Sequence, residues 1–172
     1  MSEKLDRARA YEEEKRTQTP EGSKCVFHLT PAVGWINDPN GFSLYRGEYH
    51  LFYQYHPYSS VWGPMHWGHQ KTRDFIKWEH LPCALAPDTG YDGQGCFSGS
   101  AVEHEGKHIL MYTGVLDRME DDGRHTLRQT QCIAVGDGIN YEKLPENPVI
   151  TAQALPEGSS KEDFRDPRIW KE

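Results

Sequence analysis

Asp74-Phe75-Ile76-Lys77-Trp78-Glu79-His80-Leu81-Pro82 returns 63 residues later as Asp137-Gly138-Ile139-Asn140-Tyr141-Glu142-Lys143-Leu144-Pro145, with Asp, Ile, Glu, Leu and Pro unchanged and an aromatic at the same place. Upstream, Gly47 and Tyr53 return as Gly106 and Tyr112, 59 residues on, so the two spacings agree within a short loop insertion. The repeat is therefore about 60 residues long, somewhat more than the ~40–50 residues of common propeller repeats. Its runs are short, aromatic and broken by Gly, Pro and Asp, as in Tyr49–Tyr55 and His108–Thr113, which is strand composition. About four strands per repeat, arranged radially, make a β-propeller, and roughly four or more such blades close one.

The reading is thus an all-β fold, an incomplete propeller with one blade at about 25–86, a second at about 87–155 and the start of a third at about 156–172. Two open blades alone would leave sheet flanks and apolar faces uncovered. Residues 1–24 read as an N-terminal helix and linker. Leu5, Ala8 and Tyr11 sit at three-residue spacing over 2–16, so the helix is expected to pack as an appendage, and Thr17–Lys24 as the linker.

Composition narrows the function. Among 172 residues, 36% are hydrophobic and 12% aromatic, and 16 glycines and 11 prolines favour turns and strands over a bundle of helices. A net charge of -7 without clustered Lys and Arg argues against nucleic acid as a partner. No apolar run approaches the ~20 residues of a membrane span, so no membrane partner is expected. The charged N-terminus shows no apolar signal region, and Cys25, Cys83, Cys96 and Cys132 have neither C-x-x-C nor zinc-ribbon spacing. Reduced thiols and a cytoplasmic location are the expectation.

The chemistry concentrates around Trp35-Ile36-Asn37-Asp38-Pro39-Asn40-Gly41, which follows the apolar run Val26-Phe27-His28-Leu29. Pro39 pushes Asp38 into extended backbone, and Asn40-Gly41 reads as a chain reversal. By itself such a stretch is a hairpin turn with an Asx cap. Asp166-Pro167 echoes Asp38-Pro39 128 residues on, close to two repeats, and Cys96-Phe97-Ser98-Gly99-Ser100 lies between them. In a propeller the innermost strands line one axial cavity, so these pieces converge there. Two facing carboxylates suit glycoside hydrolysis.

The chain resembles the N-terminal part of glycoside hydrolase family 32, the invertase and sucrose-6-phosphate hydrolase family. The resemblance rests on FHLTPAVGWINDPNG (27–41), FYQYHP (52–57), WGPMHWGH (62–69), FSGSAV (97–102) and FRDPRIW (164–170), in that order. It implies a five-bladed propeller with a C-terminal β-sandwich, a retaining β-fructofuranosidase activity, a small-molecule sugar as partner, and neither cofactor nor metal. Asp38 is then the nucleophile and Asp166 the transition-state stabiliser. Asn37, Gln54, Trp62, Phe97, Ser98 and Arg165 form the sugar-binding shell, offering the donors, acceptors and aromatic faces a furanose needs. The helical leader resembles that of bacterial intracellular members.

The family's acid/base glutamate lies in a Glu-Cys motif C-terminal to Arg-Asp-Pro, and residues 1–172 contain no Glu-Cys pair. Loss of leaving-group protonation costs roughly 10²–10⁴ in rate, so the 172-residue polypeptide is expected to be inert by itself. Fructosyl transfer and a non-catalytic carbohydrate-binding propeller are the alternatives. Zinc at His66-x-x-His69 is disfavoured, because residues three apart on a strand point to opposite faces. The sequence does not separate sucrose from sucrose 6-phosphate, and Lys71, Arg73 and Arg118 stay unplaced as phosphate ligands.

Overall fold

The computed structural model describes residues 2–20, 22–25 and 27–172, so Met1, Glu21 of the linker and Val26 of the apolar run lie outside the described residues. One helix, α1 (Glu3–Gln18), precedes eight strands: β1 (Trp35–Tyr45), β2 (Glu48–His56), β3 (His66–Thr72), β4 (Glu79–Leu85), β5 (Gly95–His104), β6 (Lys107–Met119), β7 (His125–Gly136) and β8 (Tyr141–Lys143). They form two four-stranded antiparallel sheets in the orders β1-β2-β3-β4 and β5-β6-β7-β8. Each sheet is thus one sequence repeat, wound as a meander.

The repeat is visible in local chemistry. Asp74 Oδ1 accepts the N–H groups of Ile76 and Lys77, and Asp137 Oδ1 accepts those of Ile139 and Asn140, so the same Asx turn opens β4 and β8. The β1–β2 hairpin turns at Arg46-Gly47 and the β5–β6 hairpin at Glu105-Gly106, all four residues at positive φ, the backbone of a two-residue turn matched to strand twist.

Period-two alternation divides the first sheet between two cores. Phe52 and Trp67 point one way and pack with Leu110, Tyr112, Ala134 and Tyr141 of the second sheet. Tyr53 and Tyr55, on the opposite face, pack with Leu5 and Ala8 of α1. Ser2 caps the helix by accepting Leu5 N–H at 3.2 Å, with Glu3 and Asp6 in the first turn and Lys15 and Arg16 in the last, each sign suiting the helix dipole.

Helix α1 is a clamp, where an appendage was expected. Glu12 Oε2 accepts Cys83 N–H at 3.0 Å and Arg9 Nε donates to Cys83 O at 2.9 Å, filling both valences of a residue on the edge strand β4. Arg9 also reaches Asn140 Oδ1 at 2.8 Å, so the helix fastens the second sheet as well. An edge strand is thereby blocked from further pairing. No helix among the described residues is long and apolar enough to cross a membrane.

Candidate active site

Strand direction alternates in each meander, so the starts of β1 and β5, the β2–β3 loop and the β6–β7 hairpin all lie at one end of the sheets. Strands β1 and β5 pack side by side there. Gln54 Nε2 donates to Cys96 O at 3.0 Å and Trp67 Nε1 to Phe97 O at 3.1 Å, stitching the first sheet to the start of β5.

Both strands are bulged where the candidate residues sit. Pairing passes from Ile36↔Tyr55 to Pro39↔Tyr53, so Asn37 and Asp38 together oppose Gln54. In β5 it passes from Phe97↔Thr113 to Gly99↔Tyr112, leaving Ser98 as the extra residue. A bulge re-aims side chains and ends regular pairing, and such features recur beside active sites.

Asp38 is in extended backbone, exposed, and makes no hydrogen bond or ion pair among the described residues. Beside it, Asn37 Oδ1 accepts Trp35 Nε1–H at 2.7 Å. Indole nitrogen only donates, so the amide is fixed with its NH₂ left to donate outward. Gln54 is only 3% exposed and its NH₂ is used on Cys96. Trp62 is 56% exposed and stands edge-on to Phe97, with ring centroids 6.4 Å apart.

The Asn40-Gly41 reversal expected from sequence does not occur. Strand β1 runs on to Tyr45, and Gly41 (φ 57°) instead forms part of a second irregularity between Asn40 and Ser43. A Cβ at Gly41 would come within 2.6 Å of the Phe52 ring and 3.1 Å of Trp67, so glycine here admits the core aromatics.

Phe164-Arg165-Asp166 forms no strand. It is laid on the second sheet by side chains sequence reasoning did not single out. Gln131 Nε2 donates to Phe164 O at 2.8 Å, Thr113 Oγ1 accepts Asp166 N–H at 3.0 Å, and Ser100 Oγ donates to Pro167 O and accepts Ile169 N–H, both at 2.8 Å. Asp166 adopts φ 62°, unlike its sequence echo Asp38. Left-handed backbone in a non-glycine residue costs roughly 1–2 kcal/mol, and the Thr113 hydrogen bond holds it there. Arg165 Nη1 pairs with Asp163 at 2.8 Å and reaches Gln129 Oε1 at 3.4 Å.

His66 and His69 take separate partners, His66 Nδ1 with Pro64 O and His69 Nε2 with His50 Nδ1. The cysteines are free, with Cys83, Cys96 and Cys132 buried.

Two adjoining four-stranded antiparallel sheets, their facing strands β1 and β5 both bulged, define a propeller-type fold with two exposed aspartates, Asp38 at the first bulge and Asp166. The family model for the glycosyl hydrolases family 32 N-terminal domain matches residues 28–172, and the chain belongs to that family. It is 50% identical over 147 residues to a sucrose-6-phosphate hydrolase of Zymomonas mobilis, covering 85% of this chain and 28% of that protein. It is 48% identical over 149 residues to a raffinose invertase of Escherichia coli, covering 86% and 30%. Among solved structures, a β-fructofuranosidase of Bombyx mori superposes with TM-score 0.83 at 44% identity over 97% of this chain and 34% of that one. A variant of the Bombyx enzyme was solved in complex with sucrose. The chain spans about a third of the length of the relatives it matches.

Proposed function

We propose that the whole protein carrying these residues is a β-fructofuranosidase that cleaves sucrose, sucrose 6-phosphate or related fructosides by retaining double displacement. Asp38 attacks the anomeric carbon of the fructosyl unit and forms a covalent intermediate, which water then releases. Asp166 accepts hydrogen bonds from fructose hydroxyls as oxocarbenium character develops. Asn37 donates to the sugar through its free NH₂, Trp62 and Phe97 cover apolar sugar surface, and Ser98 and Arg165 complete the polar lining. Gln54 contributes by holding the Cys96–Phe97 backbone.

Support comes from two features: an uncommitted aspartate at the β1 bulge, and a second aspartate held in left-handed backbone by Thr113, the residue paired with Phe97 at the β5 bulge. Leaving-group protonation is assigned to a glutamate outside residues 1–172, so the isolated 172-residue polypeptide is expected to release no fructose from sucrose.

The test is Asp38→Ala in the whole protein, with early product configuration followed by NMR. The wild type is expected to release β-fructofuranose first and the variant to lose at least ~10³-fold in kcat, the scale of losing a nucleophile. Release of the α-anomer first, or a variant of near wild-type rate, would overturn the assignment.

A further inference from the structure

Strand β7 carries two buried glutamines, Gln129 and Gln131, two residues apart and so on one face, and the reaction scheme uses neither. The backbone of Gln131 is turned outward: its N–H donates to Ile150 O at 2.8 Å and its carbonyl accepts Val149 N–H at 2.9 Å. Opposite Thr113 of β6 it therefore stands in a non-hydrogen-bonded pair, the kind that brings cross-strand side chains closest.

That pairing closes a ring of hydrogen bonds around the chain that leads into Asp166. Phe164 O can only accept, so the amide of Gln131 turns Nε2 to it, at 2.8 Å. Oε1 is left facing Thr113 Oγ1 at 3.1 Å, where it takes the hydroxyl proton and leaves a lone pair for Asp166 N–H at 3.0 Å. One amide thus holds the carbonyl of Phe164 directly and the N–H of Asp166 through Thr113, on either side of Arg165. Gln129 Oε1 meets the Arg165 guanidinium at 3.4 Å from the same face. The two hydrogen bonds of Ser100, to Pro167 and Ile169, lie outside this ring.

We infer that Gln131 is a positioning residue: only 2% exposed, it touches no substrate and sets the backbone that aims Arg165 and Asp166 at the sugar. Its effect on rate rests on the fructosidase reading, whereas its effect on the chain rests on the hydrogen-bond ring alone. Asp166 is in left-handed backbone (φ 62°), which a non-glycine residue keeps only where its surroundings hold it. Without the amide, the Phe164 carbonyl loses its donor and the Thr113 proton is left with Ser98 O, 3.3 Å away.

The test uses the whole protein as wild type, Gln131→Met and Gln131→Glu. Methionine keeps the length of the side chain and removes both polar ends. Deuterium exchange of the Asp166 backbone N–H, followed by NMR, is expected to quicken at least ~10-fold in Gln131→Met, with Ile169 N–H unchanged within about twofold. Equal exchange at Asp166 in both proteins, or equal quickening at both amides, overturns the ring as what holds Asp166. On sucrose, Gln131→Met is expected to lower kcat roughly 10-fold or more with KM within about threefold.

In Gln131→Glu the introduced carboxyl, when protonated, offers an O–H to Phe164 and a carbonyl to Thr113, as the amide does; ionised, it offers Phe164 no donor. Its kcat is expected to approach wild type at acid pH and to fall below it as the carboxyl ionises. Asp163, Arg165 and Asp166, the charged side chains of the gripped segment, are the same in both proteins. A wild-type kcat in Gln131→Met overturns the positioning role, as does a Gln131→Glu rate that is low and flat with pH, since lost packing alone does not titrate. A slow Gln131→Met beside a Gln131→Glu at wild-type rate throughout supports it, the acid being kept protonated by burial. If the wild type leaves sucrose intact, the fructosidase reading fails and the exchange arm still decides Gln131.

Discussion

Thr113 Oγ1 lies 3.0 Å from the backbone nitrogen of Asp166 and accepts its N–H, while the one hydroxyl proton faces Ser98 O at 3.3 Å and Gln131 Oε1 at 3.1 Å. A single buried hydroxyl thus ties the bulge of β5 to the aspartate that follows two repeats after Asp38. Thr113→Val keeps the shape and removes the acceptor. A hydrogen bond of this kind contributes about 0.5–1.5 kcal/mol. In the whole protein, on the proposed fructosidase reading, the expected result is a kcat for sucrose lowered roughly 3–10-fold, with Thr113→Ser close to wild type. If valine and serine lower kcat equally, the hydroxyl is not what positions Asp166.

Glu12 makes α1 docking sensitive to pH. Burial pushes its carboxyl up to about 7, against the Cys83 N–H bond that favours the ionised form. A carboxyl raised on folding holds its proton more tightly in the native state, so its contribution is full below the unfolded value of 4.5 and is lost as pH rises to about 7. Glu12→Gln keeps an acceptor for Cys83 N–H and cannot ionise. Urea midpoints across this window are expected to rise more steeply with pH in the variant than in the wild type. Parallel curves would show that Glu12 ionises alike in both states.

The buried histidines act in the opposite sense. His108 shares hydrogen bonds with Ser43 Oγ at 2.9 Å and Tyr141 OH at 2.7 Å and stacks on Tyr45 at 4.6 Å. Burial first, then the nearby His50, lowers it to about 3, and burial lowers His66 to about 4. His69, fully buried against His50, is lowered as well. These groups stay neutral in the fold while the unfolded chain takes up protons, so stability is lost as pH falls from about 6.5 towards 3. Each such group contributes a slope of about 1.4 kcal/mol per pH unit inside its window. His108→Gln is expected to flatten the acid limb of a stability–pH curve by close to one proton, and an unchanged limb would clear His108 of the effect.

The repeat was legible because its signals are local: the Asp74 and Asp137 Asx turns and the Gly47 and Gly106 hairpins depend on residues a few positions apart. The bulges at Asn37–Asp38 and Ser98 were not, since a bulge exists only relative to the strand across from it. Gly41 misled for the same reason, because positive φ serves a turn or a bulge equally and only Phe52 and Trp67 decide which. Glu12 and Arg9 escaped notice because hydrophobic periodicity assigns charged residues to solvent. Asp38 and Asp166 stood out in sequence as a pair, but their unlike backbones reflect Thr113, a partner 53 residues from Asp166.

Lys143 is the lock between the two sheets. Its Nζ lies 2.5 Å from both Asp88 Oδ1 and Asp92 Oδ2 and donates to Ala86 O at 2.7 Å, joining β8 to the segment that connects β4 to β5. Asp92 is fully buried and also accepts Tyr112 OH at 2.9 Å and Thr89 N–H at 2.9 Å. Asp88 in turn meets Ser2, the cap of α1. Lys143→Met would strand a buried carboxylate, a loss of roughly 3–5 kcal/mol. Adding Asp92→Asn removes that charge, keeps an acceptor for Thr89 N–H and turns an NH₂ donor towards the Tyr112 hydroxyl oxygen, so the double variant is expected to be more stable than the sum of the single losses by about 0.5–3 kcal/mol. Urea unfolding of the four proteins in the cycle measures the coupling. Strict additivity would mean that Lys143 and Asp92 stabilise the sheet junction independently, and the ion pair would not be what holds it.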